Sequence, residues 1–178
     1  TYYEDVFVRD LIVAMRDYGF DGYHGADGYT SPRLCLAEAD YSDDMVEQFV
    51  RLSGVELPAD LQAVCDGDPL ETERRGDWIW NHKRIEWIRF YAERWGQLWR
   101  KIMPAIRKEG KKAVLNSVWT RDPFEALYRY GVDYRLLAAS GVDGIVIESV
   151  AASLSAGAGE TEYPEPGSEF MAMILAMK

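Results

Sequence analysis

A junction that recurs along the chain constrains its fold more than any other feature. Gly19-Phe20-Asp21-Gly22 closes a helical stretch whose apolar side carries Val6, Leu11, Ile12, Met15 and Tyr18. Gly141-Val142-Asp143-Gly144 closes another, built around Tyr134, Leu136, Leu137 and Ala138. In both, a glycine falls where a helix ends in the left-handed conformation, and the next apolar residue can fold back on the last turn. A strand is predicted after each, Tyr23 to Asp27 and Ile145 to Glu148. A looser third copy stops the helix from Trp87 to Lys108 at Gly110, ahead of the apolar run Ala113 to Val118.

Buried strands separated by helices pair in parallel through right-handed crossovers. Strands covered on both faces read as apolar runs, as Ile145-Val146-Ile147 does. The fold class is therefore α/β. Between Asp27 and Ala113 lie 85 residues, far more than one crossover helix needs. Ser42 can cap a helix from Asp43 to about Leu52 that ends at Gly54, and Pro58 can start a short one through Val64. Asp66-Gly67-Asp68-Pro69 breaks the chain. In the long helix that follows, Ile88, Tyr91, Trp95, Leu98 and Ile102 recur at steps of three and four, which predicts a stripe packed on the sheet. Asp122-Pro123-Phe124-Glu125 has a cap, a proline at the first helical position and a glutamate three after the cap.

Three such units fit either a doubly wound sheet or part of a (β/α)8 TIM barrel. A nucleotide-binding open sheet wants a glycine-rich loop that opens a helix directly after a strand. Gly22, Gly25 and Gly28 have no helix start behind them. In a barrel the chemistry sits at the carboxyl-terminal ends of the strands. Those ends carry Asp27, Asn116 to Trp119 and Glu148, each polar or aromatic after an apolar run. The loops leaving the first and third strands are long, whereas the turns into the strands are short. A full barrel takes about 250 residues, and the chain has 178. The expectation is an incomplete TIM barrel over residues 1–178, with a long helical insertion at about 29–84. Both ends look like interior cuts, so the remainder of a larger chain, or further copies of this one, are expected partners.

Charge and composition narrow the function. With 20 Lys+Arg against 30 Asp+Glu the net charge is −10, which disfavours phosphate backbones and hence nucleic acid. No uncharged apolar stretch approaches the roughly 18 residues of a membrane span. Aromatic residues make up 13%, which suits stacking on sugars and equally suits a large core. Cys35 and Cys65 read as unrelated thiols, and His24 and His82 complete no zinc spacing. No cofactor or metal is implied.

Several residues could carry chemistry. Glu148 leaves an apolar strand, where desolvation raises a carboxyl pKa and makes it an acid near neutrality; its bland alternative is a strand-end ion pair. Asp27 occupies the matching position on the first strand, followed by Tyr29 and Arg33; its alternative is an Asx turn. His24 either faces the helical layer as a core histidine or reaches the mouth as a ligand for sugar hydroxyls. At the second strand's exit, Asn116 can bond a hydroxyl, Trp119 can stack on a pyranose and Arg121 can fix a carboxylate. Asp21 and Asp143, at the strand starts, read as turn holders. Asp40, Tyr41, Asp43 and Asp44 read as a solvated, capping run. Trp78 and Trp80 form either a lid or part of the core. Ser149 has no nearby histidine, and Lys111 and Lys112 lie at the wrong end of a strand for a Schiff base.

In this respect Tyr18 to Asp27, Asn116 to Pro123 and Gly141 to Glu148 are similar to strands of bacterial (β/α)8-barrel glycoside hydrolases. In such enzymes a Gly-Phe-Asp-Gly run commonly leads into a strand whose far end carries an active-site Asp. The Asn-Glu pair typical of one large clan is missing, since Glu148 follows Ile147. The resemblance implies an oligosaccharide or glycoside substrate and cleavage by two carboxylates. Asp27 and Glu148 are the pair expected, with Glu148 the acid because its flanks are more apolar. A catalytically silent carbohydrate-binding barrel and a barrel lyase or aldolase are the competing readings.

Overall fold

The computed structural model describes residues 3–25, 34–118, 120, 122–147 and 175. A π-helical turn (Tyr3–Phe7) leads into α1 (Val8–Asp17), and β1 (Gly22–Gly25) follows. Next come α2 (Asp43–Ser53), α3 (Pro69–His82) and the 25-residue α4 (Arg84–Lys108). β2 (Lys112–Asn116), α5 (Pro123–Tyr130), α6 (Tyr134–Ala139) and β3 (Gly144–Val146) complete the described chain. The three strands form one parallel sheet in sequential order, with Gly22 opposite Lys112 and Val114 opposite Gly144. The protein is α/β.

The recurring junction behaves as its composition dictates. Gly19, Gly110 and Gly141 all take positive φ, the conformation that ends a helix at little cost only for glycine. Phe20 does fold back on the preceding turn and stacks on Tyr18 at 5.9 Å. That pair stays outside the core, however, and Tyr18 is 76% exposed, so it is not part of the apolar side of α1. The second glycine of the motif serves a different need. A Cβ on Gly22 would stand 2.5 Å from the carbonyl oxygen of Lys112, so β1 approaches β2 this closely only without a side chain there.

Alternation along the strands separates two faces. Tyr23, Ala113, Leu115, Ile145 and Ile147 pack with Met15 of α1, with Trp99, Ile102, Met103 and Ile106 of α4, and with Leu137 of α6. His24, Val114, Asn116, Gly144 and Val146 point the other way, and no described helix covers them. The strands were expected to be covered on both faces; among the described residues the helices lie on one. His24 is exposed and does not enter the helical layer.

A second core divides the long helix. Leu36, Tyr41, Val46, Phe49, Leu61 and Ile79 gather around Trp87, Ile88, Phe90 and Tyr91 of α4. Helix geometry requires this: 25 residues rise about 37 Å, whereas a five-residue strand covers about 16 Å. The last half of α4 matches the sheet, and its first half extends beyond the carboxyl-terminal strand ends. The predicted stripe is thus split, with Ile102 against the sheet and Ile88 and Tyr91 in the upper core. Seven aromatic residues go into this packing: Tyr41, Phe49, Trp78, Trp80, Trp87, Phe90 and Tyr91. Trp87 stacks on Tyr41 at 4.7 Å and meets Phe49 edge-on at 4.9 Å.

Local signals fared unevenly. Gly54 caps α2 in the left-handed region, and the carboxylates of Asp122 and Asp133 accept the amides of Glu125 and Arg135 at the starts of α5 and α6. Ser42 begins α2, but its own amide is held by Asp40 and its side chain makes no cap. After Pro58 the chain makes only a single 3-10 turn, Ala59–Leu61, and the Gln62 side chain donates back to the carbonyl of Leu57. Tyr41 and Asp43 are not part of a solvated run. Tyr41 is buried, and Asp43 accepts the amides of Cys65 and Asp66 and a guanidinium hydrogen from Arg75.

Candidate functional site

The two ends of the sheet differ in chemistry. At the amino-terminal end, Asp143 accepts the amide of Ala113 at 2.8 Å, and Arg107 donates to the carbonyl of Gly141 at 2.6 Å and to Asp143. Arg16 of α1 pairs with Glu109 at 2.7 Å nearby, which holds the Glu109 carboxyl below the usual carboxylate range. These contacts fasten the turns into the strands. Asp143 is the turn holder expected of it, while the Asp21 carboxylate is exposed beside a backbone link from Lys112 to the Asp21 carbonyl. Lys112 is exposed at this end, away from the strand exits.

Among the described residues the carboxyl-terminal end carries neutral polar groups. Ser117 donates its amide to the carbonyl of Val146 at 2.7 Å, extending the β2–β3 ladder past Asn116. The amide of Val118 donates to the Tyr134 hydroxyl at 3.1 Å. Burial pushes the Tyr134 phenol up to about 12, so it stays protonated throughout the working range of most proteins. Asn116 is 5% exposed, although it lies on the face that no described helix covers. Its carboxamide oxygen meets Nε2 of His24 from the neighbouring strand. Register explains the meeting: His24 stands opposite Val114, so Asn116 is the next residue of β2 on the same face and lies diagonally across.

Of the residues singled out by sequence, His24 and Asn116 are thus brought together. Asp27, Tyr29, Arg33, Trp119, Arg121, Glu148 and Ser149 lie outside the described residues. Trp78 and Trp80 are partly buried against the upper core. Trp78 stacks on His82 at 5.1 Å, and Arg84 covers Trp80 at 4.7 Å. Tyr134 is the residue that sequence reasoning passed over. It read as one apolar position of a helix, but its place directly after the Asp133 cap puts its ring at the exit of β2.

Replacing Tyr134 with phenylalanine leaves the Val118 amide without its acceptor in a buried place, which costs about 1–3 kcal/mol. A urea midpoint that does not move would show that the hydroxyl does not hold this exit.

Among the described residues no group of three His, Cys, Asp or Glu side chains could hold a metal ion, and no helix is long and apolar enough to cross a membrane. An open pocket of about 440 Å3 between α2 and residues 55–64 is lined by Val46, Leu57 and Leu61, with Glu47, Glu56 and Arg75 at its sides. No family model, curated protein or solved structure matches the chain.

Proposed function

We propose that this chain is part of a (β/α)8-barrel enzyme that binds an oligosaccharide or glycoside and hydrolyses a glycosidic bond with two carboxylates. The observation that supports it is the His24–Asn116 pair, which sits on the face of the sheet opposite the helices and near the carboxyl-terminal strand ends. In a barrel that face is the interior and that end is the mouth. Sequential parallel strands, and turn-fastening ion pairs kept to the amino-terminal end among the described residues, suit this reading.

In it, Glu148 gives a proton to the leaving oxygen while Asp27 attacks the sugar or activates water. His24 and Asn116 hold hydroxyls, with Tyr29, Arg33, Trp119 and Arg121 around them. Carboxyls about 5–5.5 Å apart retain configuration, and about 6.5–9.5 Å indicates inversion. The remaining strands would come from the rest of a longer chain or from further copies.

The test is release of reducing ends from a panel of oligosaccharides, run beside binding. Asp27→Asn and Glu148→Gln should keep affinity and lose at least a hundredfold in turnover, the lower end of what positioned acid–base groups contribute. Binding with no turnover in the wild-type chain would favour a silent carbohydrate-binding barrel. Turnover indifferent to both substitutions would remove the two-carboxylate assignment, and a metal requirement would point to a lyase or aldolase.

A further inference from the structure

His24 and Asn116 face each other across β1 and β2, ring nitrogen Nε2 against carboxamide oxygen Oδ1. A carboxamide oxygen has lone pairs but no hydrogen, so it only accepts. The imidazole nitrogen that meets it must then carry the proton. In a neutral ring this leaves Nδ1 with a free lone pair. Among the described residues nothing else bonds to the ring, and His24 is exposed. Asn116 is the better fixed of the two, being buried at the end of β2 where the ladder to β3 continues through Ser117.

We infer that Asn116 is a positioning residue, which holds neutral His24 with its proton on Nε2 so that Nδ1 accepts a hydrogen bond from a ligand hydroxyl at the strand ends. The ligand half of this statement rests on the carbohydrate reading above; the tautomer half stands without it. The consequence is a selectivity for donors. A hydroxyl can serve Nδ1, whereas an ether or carbonyl oxygen brings no hydrogen to it. Through this contact Asn116 also sets what the ligand must offer at His24.

The first measurement is nitrogen NMR of the histidine rings at alkaline pH, where a neutral ring carries a single proton. For His24, Nε2 should show as the protonated nitrogen, with an Nε2–H signal sheltered from exchange, and Nδ1 as the unprotonated one. Asn116→Asp keeps an accepting oxygen and should keep that signal, whereas Asn116→Leu should lose it. A proton found on Nδ1, or a sheltered Nε2–H that survives Asn116→Leu, overturns the tautomer assignment. Should Asn116→Leu not fold, Asn116→Ala takes its place, since it too lacks the accepting oxygen.

The second measurement titrates cellobiose and maltose, with their permethylated forms as probes that keep the oxygens but lack O–H donors. The Nδ1 resonance should move with a free disaccharide and stay still with the permethylated one. Movement with both forms, or with neither, overturns the hydroxyl-acceptor role. The spectra without ligand report the tautomer separately, so failure of the carbohydrate reading and failure of the Asn116 assignment are distinguishable.

Discussion

Replacing Trp87 with alanine should cost about 3–5 kcal/mol of stability, the range for emptying a large aromatic from a core. Trp87 is 0% exposed and is touched by rings on several sides: Tyr41 stacked on one face, Phe49 and Tyr91 edge-on, Phe90 tilted. Such pairs add about 0.5–1.5 kcal/mol each beyond area burial. Truncation therefore removes the element around which the upper core is arranged, and the surrounding rings are too large to close the space. Trp87→Phe should cost far less, because its indole N–H makes only a long 3.4 Å bond to the Leu36 carbonyl. Trp99 offers a control in the lower core. Its buried indole nitrogen has no partner, so Trp99→Phe discards an unmet donor along with some volume and should be the milder of the two phenylalanine changes. Denaturant midpoints at constant m-value decide the matter. A Trp87→Ala loss under about 1 kcal/mol would mean that the upper core is not packed as the ring geometry indicates.

What the sequence made legible was mostly local. Glycine after a helix, aspartate before Pro123 and the stop at Gly54 act through the backbone of their own neighbourhood, so three or four residues carry the whole signal. The partition of α4 was not legible. A periodicity of three and four reports that a side is buried, but Ile88 and Ile102 look alike whether they meet a sheet or another layer of helices. Length decides that, because a helix more than twice as long as the strand after it must reach past the sheet. The face of His24 was half legible: alternation places it opposite Tyr23, and only the contact of Tyr23 with Trp99, at 6.0 Å, says which face the helices occupy. Its partner, 92 residues away, follows from strand register, which single-strand patterns do not encode. The same limit hid Arg75, whose carboxylate partner is 32 residues distant and looked like a helix-capping aspartate.

That pair gives the second large effect. Arg75 is 4% exposed and donates to Asp43 at 2.8 Å and to the Tyr41 carbonyl at 2.9 Å, while its Nε finds no partner. Asp43→Ala removes the countercharge of a buried guanidinium together with the acceptor of the Cys65 and Asp66 amides, and should cost on the order of 3 kcal/mol. Asp43→Asn keeps an acceptor for an amide and should cost less. Adding Arg75→Met to Asp43→Ala should return part of the loss, since no charge is then stranded, and a double-mutant cycle reads the coupling directly. The same contacts predict a pH signature. The amide of Cys65 first, then the Arg75 guanidinium, hold the Asp43 carboxyl below its ordinary value. As pH falls below about 3.9, the unfolded chain takes up this proton before the folded one does. The contribution of Asp43 is therefore intact above that value and is lost as pH drops through the lower, folded value. Asp43→Asn has nothing to titrate, so its stability should fall less steeply than that of the wild type across this acid window. Parallel acid profiles for the two proteins would show that Asp43 is not held by these donors in solution.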